Sequence, residues 1–215
     1  MRNTTIDYLK TFALVAMVFY HISFVEFFFY NQTMSLSMEI IGWVARSLFV
    51  LLFGINFQFY ANKNLNYFAK RLFKLFICAL IITISTYIFV PNLFVVFGVL
   101  HLFTISLVIL RFAPNVLQLF IALMSFIALL FPALELESNW FLIFGLPSKS
   151  FQSIDYFPLF PYFGIIYLGK CMGPFFIKKI PILKSNMLIE IISRNSLWIY
   201  MCHMPVILLF DYMLR

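Results

Sequence analysis

What most constrains this chain is a series of apolar stretches, each close to the length a helix needs to cross a bilayer. About 20 mostly apolar residues reach across the hydrocarbon core. The sequence offers seven such stretches: Thr11–Phe29, Met38–Ala61, Leu72–Phe89, Asn92–Arg111, Val116–Ala133, Tyr156–Ile177 and Leu188–Leu214. The segments between them are too short to hold a soluble domain. Composition points the same way, with 64% of residues hydrophobic, 11% charged and a mean hydropathy of +1.00. Soluble domains carry about 25% charged residues, so this chain could not cover its own surface in water. The expectation is an all-α, polytopic integral membrane helix bundle of about seven transmembrane helices, with residues 1–215 forming a single domain.

The ends of these stretches carry further information. Arg2 and Lys10 precede the first run as they would in a signal peptide, but the run is long, rich in Phe and lacks a small-residue cleavage site. It reads as an uncleaved first span. The sixth stretch opens "DYFPLFPYFG", whose prolines predict a bent or partly re-entrant entry. With the N-terminus inside, twelve Lys and Arg residues fall in cytoplasmic segments and only Lys149 and Arg215 on the other face. The positive-inside rule therefore predicts an inside N-terminus and an outside C-terminus. On this reading the net charge of +7 is topogenic, and nucleic-acid binding is not expected.

The residues that should not be in hydrocarbon are the informative ones. All three histidines, His21, His101 and His203, fall inside predicted spans, and Arg46 joins them in the second. Counting from each span's outer end at the α-helical rise, they lie about 12 to 16 Å deep. That depth places them in one layer, from the outer half of the membrane to its midplane. Ionisable groups at such depth usually face a bundle interior or a water-filled cavity. The bland alternatives are imidazoles bonded between helices, and an Arg46–Glu39 ion pair.

A neutral imidazole can take a proton from an attacking hydroxyl or amine, or be acylated itself and pass the group on. Arginine would stabilise negative charge developing on a carbonyl oxygen. The set fits acyl transfer at least as well as a proton relay. No carboxylate or cysteine stands at ligand spacing beside two histidines, so no metal is expected. Cys78, Cys171 and Cys202 are scattered singly and read as core residues. Gly98, three positions before His101, and Gly169 and Gly173, at GxxxG spacing, predict close helix packing.

Several segments together resemble a known family. "TIDYLKTFALVAMVFYHISF", "FVLLFGINF", "RLFKLFICALIITISTYIF", "FVVFGVLHLFTISLVIL", "DYFPLFPYFGIIYLGK" and "SRNSLWIYMCHMPV" follow, in order, the pattern of the catalytic-domain family of heparan-alpha-glucosaminide N-acetyltransferase. The resemblance runs from Ile6 to about Leu208, and it is to the compact bacterial members within the wider transmembrane acyltransferase superfamily. The chain departs from the pattern at Lys10–Thr11, where the family usually has Arg-Gly, and at Met204, where Gln is more usual.

The resemblance implies an acetyl-CoA-dependent N- or O-acetyltransferase that moves an acetyl or short acyl group to a sugar amine or hydroxyl, with an envelope glycan as the default acceptor. His21, His101, His203 and Arg46 would be the catalytic group. Lys10, Arg71, Lys74, Lys178, Lys179 and Arg194 would bind the phosphates of CoA. Asp155, Tyr156 and Asn195 would meet the acceptor. The implied location is the bacterial cytoplasmic (inner) membrane, with a homo-oligomer left open. The rival readings are a small proton-coupled transporter using the same histidines, and a non-catalytic membrane partner.

Overall fold

The computed structural model describes residues 3–30, 32–130, 139–179, 183–184 and 186–214, with the side chain of Lys179 left aside. Arg2, Glu135, Glu137 and Arg215 lie outside the described residues. Among the described residues the regular structure is helical, in eight α-helices: α1 Thr4–Tyr30, α2 Leu36–Asn56, α3 Leu65–Phe89, α4 Val99–Phe112, α5 Asn115–Ala128, α6 Leu159–Lys179, α7 Met187–Arg194 and α8 Ser196–Leu214. Short 3₁₀ turns at Phe57–Phe59, Pro91–Leu93 and Asn139–Phe144 join some of them.

Five of the described helices, α1, α2, α3, α6 and α8, are long and apolar enough to cross a membrane, so the protein is a helical integral membrane bundle. Their outward faces carry large apolar side chains such as Phe12, Phe19, Phe73, Phe76, Leu209 and Phe210. A helix apolar all round belongs in lipid or in a large core. α4 and α5, with 14 residues each, reach only about 21 Å at the helical rise. They are apolar but shorter than the spans expected for them.

Two boundaries differ from expectation for local reasons. The fourth helix starts at Val99 rather than near Asn92, because Pro91–Leu93 forms a separate turn and residues 94–98 are non-helical, with a bend at Val96 and Phe97. The last stretch is two helices. Asn195 leaves helical geometry (φ −96°, ψ 13°), and its side-chain amide donates to the Ile191 carbonyl at 2.8 Å, which closes α7 before α8 begins. The bend expected in the sixth span is present: Phe160 is extended (φ −99°, ψ 126°), so regular helix in α6 begins after it.

The helices group into two compact units, Met1–Leu52 with Phe175–Arg215, and Phe53–Pro174. In the first, α1 packs against α7 and α8. Its polar core lies at the start of α1. Asn3 caps the helix by accepting from the Thr5 and Ile6 amides at 3.0 and 3.4 Å. One turn on, the buried Asp7 carboxylate accepts from the Ser193 hydroxyl of α7 at 2.5 Å.

In the second unit, α3 packs along α4, and the end of α2 lies so close to α6 that a Cβ on Gly54 would collide with the Ile166 carbonyl. Gly173 gives the same close approach at Ile55 and Gln58, as its spacing predicted. Cys78 is buried as expected, whereas Cys171 and Cys202 are exposed on their helices. They do not serve as core residues, because apolar outer faces in lipid accept a thiol as readily as a core does.

Candidate functional site

The two units treat their histidines differently. In the first unit, His21 in the middle of α1 and His203 in α8 come together, with ring centroids 4.7 Å apart and planes at 73°. Each is held by its own helix. His21 Nδ1–H donates to the Met17 carbonyl one turn back at 2.8 Å. His203 Nδ1–H donates to the Tyr200 carbonyl at 2.5 Å. A neutral imidazole has one donor nitrogen and one acceptor nitrogen. Because Nδ1 carries the proton in both rings, Nε2 is the acceptor in both.

Aromatic neighbours surround the pair. Tyr20 and Phe24 flank His21 on α1, Tyr200 lies 5.6 Å from His203, and Phe49 of α2 stacks on Tyr200 at 5.8 Å. Arg46, one turn before Phe49, sits within electrostatic reach of His21, its guanidinium 5.8 Å from the Trp43 ring. Of the four residues expected in one layer, His21, His203 and Arg46 are thus neighbours within the first unit, two imidazoles and a cation among rings. Pro205, two residues past His203, lacks the N–H that would bond the Met201 carbonyl.

His101 belongs to the second unit and is built otherwise. It is not in mid-helix but in the first turn of α4, and its ring turns back on the helix start. His101 Nδ1 accepts from the Gly98 N–H at 3.2 Å. This is the reciprocal half of a capping box, in which the third helical residue satisfies the amide of the N-cap. The Thr83 hydroxyl donates to the Val95 carbonyl at 2.8 Å, so at 3.3 Å from His101 Nε2 its oxygen is the acceptor and Nε2–H the donor. Both nitrogens of His101 are engaged in the fold.

Asp155 completes that cap. Its Oδ2 accepts from the Val99 N–H at 3.2 Å, a carboxylate at a helix N-terminus where the dipole favours it. Gly98 is what makes this fit, because a Cβ there would collide with the same carboxylate. Around it 153–157 pairs with 93–97, through the backbone bonds Ile154 N–H to Leu93 O (3.0 Å) and Phe157 N–H to Phe97 O (2.9 Å), and through the Ser153 side-chain hydroxyl, which donates to Phe94 O (3.0 Å). The segments "FGVLH" and "DYFP" are therefore one structural element. Tyr156 donates its hydroxyl to the Leu142 carbonyl at 2.7 Å, and burial pushes its phenol up to about 12.

The basic candidates divide as well. In the first unit, Lys178 is exposed, Lys10 stands half-buried one turn past Asp7, and the largely exposed Arg194 pairs with Glu190 at 3.4 Å. Asn195 lies beside Arg194 at the α7–α8 junction, the end of the unit where α1 begins. In the second unit, Lys74 is exposed, and Arg71 lies over the Tyr60 ring at 4.1 Å. Lys179 has no described side chain.

Sequence reasoning passed over two polar clusters. One is the Asp7–Ser193 bond, whose partners stand 186 residues apart. The other is Lys170, whose ammonium donates to Gln118 Oε1 at 2.6 Å and Asn115 Oδ1 at 3.1 Å. The Gln118 amide in turn donates to the Leu110 and Ala113 carbonyls at 3.3 and 2.8 Å. Their one available signal was a polar side chain at the edge of an apolar run. Among the described residues, no group of three or more His, Cys, Asp or Glu is arranged to hold a metal ion.

A helical membrane bundle with a half-buried imidazole pair beside an arginine carries the kinds of group that proton movement or acyl transfer would use. The family described as "Heparan-alpha-glucosaminide N-acetyltransferase, catalytic" matches residues 2–205, nearly the whole chain. The chain belongs to that family, as the motifs indicated, and at the family level it is a membrane acetyltransferase. No curated protein and no solved structure matches it.

Proposed function

We propose that the protein is a single membrane-embedded domain that transfers an acetyl or short acyl group from acetyl-CoA to a sugar amine or hydroxyl, with an envelope glycan of a bacterial inner membrane as the natural acceptor. The observation that carries this reading is the His21–His203 pair. Two imidazoles whose Nδ1 protons are tied to their own helices present Nε2 as the basic nitrogen. In the transfer, one Nε2 takes the proton of the attacking amine or hydroxyl as its lone pair forms the bond to the acyl carbon. The carbonyl oxygen becomes an oxyanion, which the nearby Arg46 charge stabilises. Collapse breaks the C–S bond, and the thiolate leaves with the proton held on the imidazolium.

The N-terminus lies inside and the C-terminus outside on this reading, so the donor enters from the face where α1 begins. Lys10 precedes His21 by 11 residues of one helix, about 16 Å at the helical rise. Phosphate contacts at Lys10, Lys178, Lys179 and Arg194 of the first unit would leave the pantetheine arm to cover that depth; Arg71 and Lys74 of the second unit remain separate candidates for phosphate contacts. His101, Asp155 and Tyr156 act by building the start of α4 and the strap across it, and Asn195 acts as a helix cap.

Incubation of the detergent-solubilised protein with radiolabelled acetyl-CoA and glucosamine tests the reading. Labelled sugar or labelled protein, absent with His203→Ala, is the expected result. Intact acetyl-CoA after incubation with the folded wild-type protein would count against an enzyme and favour the proton-coupled transporter.

A further inference from the structure

The division of the last apolar stretch at Asn195 leaves α7 as a helix of eight residues, about 12 Å long at the helical rise. It cannot cross a membrane, and its depth is set by α1. Its buried face carries Ser193, bonded to Asp7 in the first turn of α1. The chain just before it is tied to the same two turns. The Leu183 carbonyl accepts from the Thr4 hydroxyl at 2.5 Å, the Leu183 N–H donates to Thr5 Oγ1 at 3.4 Å, and the Lys184 carbonyl accepts from Tyr8 at 3.4 Å. α1 has 27 residues, about 40 Å, against a hydrocarbon core of about 30 Å. Its first turns, with Asp7 and Lys10, therefore stand at the membrane boundary, and α7 stands there with them.

The opposite face of α7 is apolar and open. Met187, Leu188 and Ile191, on one side of the helix, are 79%, 69% and 47% exposed. Basic residues flank it in sequence: Lys178 to Arg194 holds four Lys and Arg against the single Glu190, and Lys178 and Lys184 are exposed. An apolar stripe bordered by lysines at this depth is the pattern of a helix lying in the interface plane. Basic groups beside it favour negatively charged headgroups. A two-fold dimer through the same stripe would bring the lysines of two chains together, which like charge opposes.

We propose that α7 is an interfacial helix that docks on anionic phospholipid headgroups at the membrane face where α1 begins. The inference stands apart from the acyl-transfer reading. Its test is amide hydrogen exchange across Met187–Arg194 in the full chain, reconstituted in nanodiscs of phosphatidylcholine alone or mixed with phosphatidylglycerol. Exchange in α7 should be slower with phosphatidylglycerol, with α8 unchanged. Lys178→Gln and Lys184→Gln should each reduce that difference about fivefold, and high salt should remove it from the wild-type protein. If altered α8 exchange shows that a variant misfolds, the wild-type salt series decides. Equal α7 exchange in the two lipids, or a difference that survives both substitutions or high salt, would overturn the proposal. So would protection in phosphatidylcholine alone that rises with chain density, which identifies a second copy as the occupant.

Discussion

His101 and the His21–His203 pair are the same side chain in similarly apolar surroundings, yet the fold uses them in opposite ways. In the pair, each helix takes the Nδ1 proton and leaves Nε2 as the basic nitrogen. At the start of α4, the Gly98 amide takes the Nδ1 lone pair and Thr83 takes the Nε2 proton. Depth in the membrane therefore does not decide whether a histidine can act as a base. What decides it is which ring atoms the backbone has already claimed, and a helix interior claims one where a helix start claims a lone pair.

The contrast can be broken from either side. The largest effect is expected at the pair: His21→Ala and His203→Ala should each lower acyl transfer by about 10²- to 10⁴-fold, measured as release of CoA thiol. Because the two rings act as a unit, the double variant should be little worse than the poorer single one. Fully additive losses would separate them. On the other side, Gly98→Ala places a methyl group against the Asp155 carboxylate and should cost about 1–3 kcal/mol of stability. Thermal unfolding in detergent reads this, and adding Asp155→Ala should recover part of the loss.

Thr83→Val should cost about 1 kcal/mol by leaving His101 Nε2–H and the Val95 carbonyl each short of a partner, with Thr83→Ser restoring it. An unchanged melting temperature would mean that Thr83 does not hold the ring. The smallest effect is expected at Arg194→Gln, whose exposed pairing with Glu190 is worth under about 1 kcal/mol and should leave unfolding almost unmoved.

Much of the fold was legible because lipid imposes simple demands. Five long spans follow from apolar length alone, and the bend before α6 follows from the prolines of "DYFPLFP". Hydropathy does not register hydrogen-bonded punctuation, so it ran 188–214 together although Asn195 ends a helix inside it. For the same reason it carried the fourth span back to Asn92.

The candidate site was legible in kind, since histidines inside apolar runs signal themselves in such a sequence. Their roles were not, because a tautomer depends on partners that periodicity does not reveal. Nothing local to His101 announces Thr83, 18 residues earlier, or Asp155, 56 residues beyond Val99. Asp7 and Ser193 stand still further apart. The segments that carry the resemblance proved informative in another sense: Gly98 and His101 of "FGVLH" and Asp155 of "DYFPLFP" here build one helix cap.

The most direct test of the account compares His101→Gln with His203→Gln in the same proteoliposomes, with acetyl-CoA as donor and glucosamine as acceptor. Glutamine at the third position of a helix can still complete a capping box, but it cannot take a proton from an attacking nucleophile. The account predicts that His101→Gln keeps turnover within a few-fold of wild type while His203→Gln loses it. Turnover lost with folded His101→Gln and kept with His203→Gln would contradict it and move the chemistry to the start of α4.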